Sequence, residues 1–162
     1  AWFAPILCFT VEEAWLSNNF NHKESIHLRI FPKTNKKWSD KNLGDKWREI
    51  INIRKVVTSA IEIEREKKII GSSLEASTEL TVSKKIKNYL NNINLNDLFI
   101  VSSAKIVDKL SGDTFSLDGI NNTKVKVKKS DGSKCERCWV ISKEVNNNQN
   151  LCSRCQSVIR NE

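Results

Sequence analysis

The chain has 162 residues, 39% of them hydrophobic and 28% charged, which suits one compact domain or two small ones and excludes a disordered chain. No apolar run is long enough to cross a bilayer, so no membrane partner is expected. Lys and Arg number 27 against 19 Asp and Glu, a formal net charge of +8. That balance favours a polyanion, of which nucleic acid is the commonest, with an inert basic surface as the alternative.

The opening "AWFAPILCF" is apolar but carries neither a basic leader nor a small-residue cleavage site, against a signal peptide. It has no initiator Met and begins inside an apolar segment, so a piece of the C-terminal end of something larger is expected. Pro5 breaks the segment. Thr10 and Glu13 have the spacing of a capping box, with Phe9 as a staple against Ala14, which predicts a helix from Val11 to about Phe20. Cys8 stands apart in the apolar segment and reads as an inert buried thiol. Residues 21–40 are polar and irregular, with "SIHLRIF" as a short extended piece and His22 and His27 as ordinary surface histidines.

The strongest periodicity runs from 43 to 70. Leu43, Trp47, Ile50, Ile51, Val57 and Ile61 fall on one face that Ile53, Val56 and Ala60 widen, with Lys and Arg on the rest. Gly71 can take the left-handed cap position. At ~1.5 Å per residue this helix is about 40 Å long and needs partners. Beyond it the pattern changes. "STELTV" reads as a strand, Ser83 can cap a short helix over "KKIKNYLNNI", and "DLFIVSSAKIV" reads as a second strand bulged at Ser102–Ser103. "TKVKVKKS" alternates cleanly, with Val125 and Val127 on one face and lysines on the other. These pieces predict a small α/β unit with one sheet face buried. The Asn-rich "NNNQN" suits an exposed loop tip.

Four of five cysteines follow the spacing Cys135-x2-Cys138-x13-Cys152-x2-Cys155. Two such tight turns can present four sulfurs at the corners of a tetrahedron, the geometry of structural Zn²⁺. The segment is too polar to hold a core of its own, so the metal would supply most of its folding free energy. Iron in the same cage is the chemical runner-up. Four cysteines leave no open position for a catalytic water. The odd cysteine count, with no secretory signal, points to a reducing compartment, hence a cytoplasmic protein. Lys134, Arg137, Lys143, Arg154 and Arg160 surround the cysteines. Trp139 among them suits stacking on an unpaired nucleic-acid base; the alternative is that Trp139 packs as the small core of the knuckle.

Three stretches, in order, resemble the C-terminal part of bacterial isoleucyl-tRNA synthetases: "APILCFTVEEAW", "WREIINIRKVVTSAIEIEREKKIIGSSLEASTEL" and "KCERCWVISKEV…LCSRC". The resemblance implies an α+β architecture. Residues 1–70 would end a helical anticodon-binding domain, 71–130 would form a small α/β junction subdomain, and 131–162 a four-cysteine zinc ribbon or knuckle. It implies Cys135, Cys138, Cys152 and Cys155 as ligands of one structural Zn²⁺. It also implies that Trp139 and Arg137, with Lys134 and Arg154 beside them, contact the anticodon stem-loop of tRNA(Ile). The parent enzyme of this resemblance is a class I ligase, expected to be a monomer, that attaches isoleucine to tRNA using ATP and Mg²⁺. No HIGH-like or KMSKS-like segment and no Gly-rich phosphate loop occurs here, so the 162 residues alone are expected to be inactive. The rival readings are a zinc-finger DNA-binding module of the DNA-repair glycosylase type and a zinc-stabilised protein-interaction module. The glycosylase reading lacks its N-terminal proline and neighbouring glutamate, since the chain opens Ala1-Trp2.

Overall fold

A computed structural model describes residues 1–18, 24–120, 122–145 and 150–160. The chain forms two compact units, Ala1–Lys41 and Asn42–Glu162.

In the first unit the helix α1 spans Cys8–Leu16, three residues earlier than the capping-box pattern predicts. Leu7 and Ile6 both donate to the Phe3 carbonyl, and Val11 donates to Leu7, so the turn around Pro5 runs straight into the helix. Thr10 therefore lies inside the first turn, and no side chain caps the start. Phe9 is 90% exposed and staples nothing, and Cys8 is exposed rather than buried. Glu12 acts further away. Its Oε2 accepts from the Ser25 hydroxyl at 2.9 Å and from the Ile26 N–H at 3.0 Å, tying α1 to the following segment. That segment is a 3-10 turn over Ile26–Leu28, not an extended piece, because Ser25 caps it through the His27 N–H. His27 Nε2 lies 3.1 Å from the Cys8 carbonyl, a structural contact. His22, Phe20 and most of "NNNQN" lie outside the described residues.

The helix α2 spans Lys41–Glu66 and from Asn42 onward belongs to the second unit. Ile50, Ile53, Val56, Val57, Ala60 and Ile61 are buried, whereas Leu43, Trp47 and Ile51 remain exposed. The buried stripe is thus the C-terminal half of the predicted face. The helix does not use Gly71 to stop. Lys68 adopts the left-handed conformation (φ 59°), Ile69 donates to Glu64 and Lys68 to Arg65, a Schellman closure. Ile70 then turns back into the core.

The sheet has the order β2-β1-β3, with β1 (Ala76–Thr81) parallel to β2 (Ser103–Ile106) and antiparallel to β3 (Lys124–Lys129). Between β1 and β2 the chain crosses over through α3 (Lys84–Leu90) and α4 (Leu95–Phe99). Ser83 caps α3 by accepting from the Ile86 N–H, as its position predicts. The predicted long second strand is half helix. Asn94 caps "LNDLF", and only Ser103–Ile106 pairs with β1. Ile100 ends α4 in the left-handed region (φ 56°), a strained place for a β-branched residue. The reversal lets Phe99 and Val101 both enter the core at 1% and 2% exposure. Alternation places Ala76, Thr78, Leu80 and Val125 on one sheet face, in the core that α2, Ile86, Leu90 and Phe99 complete. Each large apolar side chain buried there is worth about 1.5–3 kcal/mol, so this shared core holds the unit together.

Candidate zinc centre

The last segment leaves β3, passes Gly132, and forms a short hairpin of β4 (Ser133–Lys134) and β5 (Ile141–Ser142), followed by α5 (Ser153–Arg160). The first cysteine pair sits in the hairpin turn. Cys135 donates to the Val140 carbonyl and Trp139 to the Cys135 carbonyl, both at 2.9 Å. The second pair straddles the start of α5. Glu144 fixes that start by accepting from the Ser153 N–H at 3.1 Å, and the same bond holds its carboxyl below the usual carboxylate range. Glu136 and Asn150 lock the two pairs together. Glu136 N–H donates to the Asn150 carbonyl, and the Asn150 amide donates to the Glu136 carboxylate at 2.9 Å.

The result is that the Sγ atoms of Cys135, Cys138, Cys152 and Cys155 all lie within 4.8 Å of one another. Zn–S bonds of ~2.3 Å in a tetrahedron require sulfurs about 3.8 Å apart. The Cys138 and Cys152 sulfurs are 3.7 Å apart, so the cage fits the ion. Cys135, Cys152 and Cys155 are buried, and with Val145 and Leu151 they form the knuckle's own small core. No other group of three or more candidate ligands occurs among the described residues.

The protein prepares the sulfurs unequally. Burial opposes ionisation of Cys135, but N–H groups of Cys138, Cys152 and Arg137 overcome it and bring the thiol down to about 6. Burial pushes Cys138 up to about 12, and hydrogen bonding with the other three sulfurs adds to the rise. One ligand is thus a ready thiolate, while another gives up its proton only to a cation. Arg137 reaches to within 3.9 Å of the Cys155 sulfur and offsets part of the negative charge of a four-thiolate site.

Trp139 does not pack as the core of the knuckle. It follows Cys138 in the left-handed conformation (φ 66°) and is 59% exposed. The Lys134 ammonium stands 5.0 Å from its ring centroid, so the ring and the cation present one surface. Arg137 and Arg154 are exposed nearby in the sequence of the same module.

Two functional features escape sequence reasoning. Ser102, immediately before β2, accepts from the Ile141 N–H at 2.7 Å and donates to the Leu74 carbonyl, fastening the β4–β5 hairpin to the α/β unit. Gly132 (φ 121°) allows β4 and β5 to approach: a Cβ there would lie 2.5 Å from the Ser142 oxygen. The glycine between Asp131 and Ser133 is a visible turn signal; the sequence marks Ser102 only as a bulge position, and nothing in it signals the bonds to Leu74 and Ile141.

Residues 1–80 match the family described as the anticodon-binding domain of tRNA ligase. Residues 132–158 match the zinc finger found in FPG and IleRS, a description that covers both zinc-finger readings weighed above. Over the whole chain the likeness is to the ligases. The isoleucine–tRNA ligase of Zymomonas mobilis is 36% identical over 156 residues, and that of Staphylococcus aureus 38% over 163. These alignments cover 96% and 97% of the chain, which spans only 15% and 17% of those relatives' lengths. The order of the two family matches, and a likeness that runs through and between them, lead to one assignment: the chain belongs to the isoleucine–tRNA ligase family and corresponds to a C-terminal part of its members.

Proposed function

We propose that this chain is the tRNA-reading end of an enzyme that attaches isoleucine to tRNA(Ile), and that its zinc module meets the anticodon loop. The observation that carries the reading is Trp139, an aromatic ring held 59% exposed on a turn that a buried cysteine cage fixes. A flat exposed ring stacks on an unpaired base whatever its identity, and stacking of this kind is worth ~1–3 kcal/mol per base. Lys134, Arg137 and Arg154 supply charge for neighbouring phosphates, which set register while bases carry specificity. A zinc held by four cysteines would have no open position for catalysis. Cys135, Cys138, Cys152 and Cys155 would fill the coordination sphere of a bound zinc, which would act by holding the turn that presents Trp139. ATP and Mg²⁺ would serve the activation chemistry of the whole ligase, a cytoplasmic and monomeric enzyme on this reading.

The test pairs metal content with binding. The chain should hold one zinc and prefer tRNA(Ile) over a tRNA with a different anticodon. Trp139→Ala should weaken binding of tRNA(Ile) by ~1–3 kcal/mol and leave the zinc in place. Unchanged affinity in a variant that keeps its zinc overturns the role of Trp139, and no preference among tRNAs overturns the reading of the anticodon.

A further inference from the structure

The core uses only one face of the β2-β1-β3 sheet. The register of the strands decides what the other face carries. Glu79 in β1 is flanked by Lys105 in β2 and Lys126 in β3, while Lys128 pairs with Ser77 and Lys124 with Thr81. Four lysines therefore surround a single carboxylate. Lys128 forms an ion pair with Glu79 at 2.7 Å. The bond from Lys128, opposed by some desolvation, and the charges of Lys128, Lys126 and Lys105 together lower the Glu79 pKa, so all three ammonium groups act at this spot. Lys105 and Lys124 are exposed and have no ion-pair partner among the described residues. Lys126 is steadied by the Ser111 carbonyl at 2.6 Å. The face thus keeps a net positive charge that nothing within the sheet neutralises.

We propose that this open sheet face is a second nucleic-acid contact, taking the phosphate backbone of structured RNA; it rests on the tRNA reading above. Three features favour RNA phosphates. Alternate residues along β3 stand about 6.8 Å apart, so successive lysines can each reach a different phosphate of a nucleic-acid strand. The small hydroxyls of Ser77 and Thr81 keep the face flat between the lysines and add donors that phosphate oxygens accept. The strand that carries Lys124, Lys126 and Lys128 leads through Ser130, Asp131 and Gly132 directly to Lys134 beside Trp139, so the basic track is continuous in the chain with the proposed anticodon contact. The four lysines lie between the two family matches, at residues that neither covers. A contact of this kind positions the RNA and carries no sequence information.

The experiment measures binding of the zinc-loaded chain to tRNA(Ile) and to a tRNA with another anticodon across a salt series. The variant is Lys105→Gln with Lys124→Gln, two exposed side chains outside the core. Both tRNAs should bind on the order of ten-fold more weakly at 0.1 M salt. The slope of log K against log salt should become shallower by about 1.4 to 1.8, the release expected for two phosphate contacts. Preference between the tRNAs should stay unchanged, and Lys105→Arg with Lys124→Arg should restore the affinity. Unchanged affinity and slope in the glutamine variant, with Trp139→Ala still weakening binding, overturns the sheet contact and leaves the anticodon reading standing. Loss of affinity with no change in slope also overturns it, because the lysines would then act through structure. Binding to phosphatidylserine vesicles that needs these lysines, with tRNA binding unchanged, would give the face to a membrane instead.

Discussion

Replacing Ser102 by alanine tests whether one hydroxyl joins the zinc hairpin to the α/β unit. The side chain makes two bonds, accepting from the Ile141 N–H at 2.7 Å and donating to the Leu74 carbonyl. Alanine removes both and leaves a half-buried donor and acceptor without that partner. Each such group costs about 1–3 kcal/mol when water cannot reach it. Leu74, Ser102 and Ile141 are all of intermediate exposure, so water recovers part of this loss, and a net cost of about 2 kcal/mol follows. The zinc cage does not depend on the hydroxyl, because its bonds run through Glu136, Asn150, Glu144 and Ser153. Hydrogen exchange reads the effect directly. The Ile141 amide should exchange roughly 30-fold faster in Ser102→Ala, the equivalent of about 2 kcal/mol, while zinc content stays at one per chain. Core amides in α2 should keep their protection. An Ile141 exchange rate within about three-fold of the parent chain would refute the fastening role.

Gly132→Ala should loosen the β4–β5 hairpin, since the new Cβ would lie 2.5 Å from the Ser142 oxygen and 2.7 Å from the Lys143 nitrogen at a φ of 121°. Its zinc should pass to a chelator faster than from the parent chain, and equal transfer rates would count against the close approach. Cys152→Ser should lose the metal and unfold residues 132–158 while α2 stays helical; metal analysis with circular dichroism checks both, and parent-like zinc content would refute the ligand assignment. Zinc binding should depend on pH with a definite sign. The Cys138 thiol, pushed up to about 12, must give up its proton to the ion at any ordinary pH. Cys135, held down to about 6, is already ionised at pH 7.5 and must lose a proton only below about 6. Affinity should therefore fall as pH falls, and one more proton per zinc should be released at pH 5 than at pH 7.5 by calorimetry in two buffers. Equal proton release at the two pH values would be the contrary result.

Several elements were legible in the residues because the determinant is local. The cysteine spacing already marks the four sulfurs that the fold gathers, since each CxxC closes its own tight turn. The alternation of "TKVKVKK" yields β3 with Val125 buried and its lysines turned away. Ser83 caps α3 through a bond three residues long. The long apolar stripe gives α2, because periodicity over many residues outweighs any single residue's preference. At α1 the local signal misled. A capping-box spacing at Thr10 and Glu13 competes with a turn at Phe3–Leu7 that already supplies helical carbonyls, and the turn wins.

The remainder belongs to the tertiary structure, for a common reason: the chain accepts local cost where distant packing repays it. Lys68, Ile100 and Trp139 all take left-handed conformations that favour glycine, and no sequence rule assigns them there. Lys68 turns Ile70 into the core, and Ile100 lets Phe99 and Val101 enter it together, cutting a predicted strand into a helix and a shorter strand. Trp139 is the instance on which the proposed tRNA contact rests. The sequence places an aromatic residue after the second cysteine of the cluster; its backbone and the cysteine cage decide that the ring faces solvent rather than filling the knuckle. The joining of that knuckle to the sheet through Ser102 brings together residues 28 and 39 positions apart, a contact that only the folded chain can make.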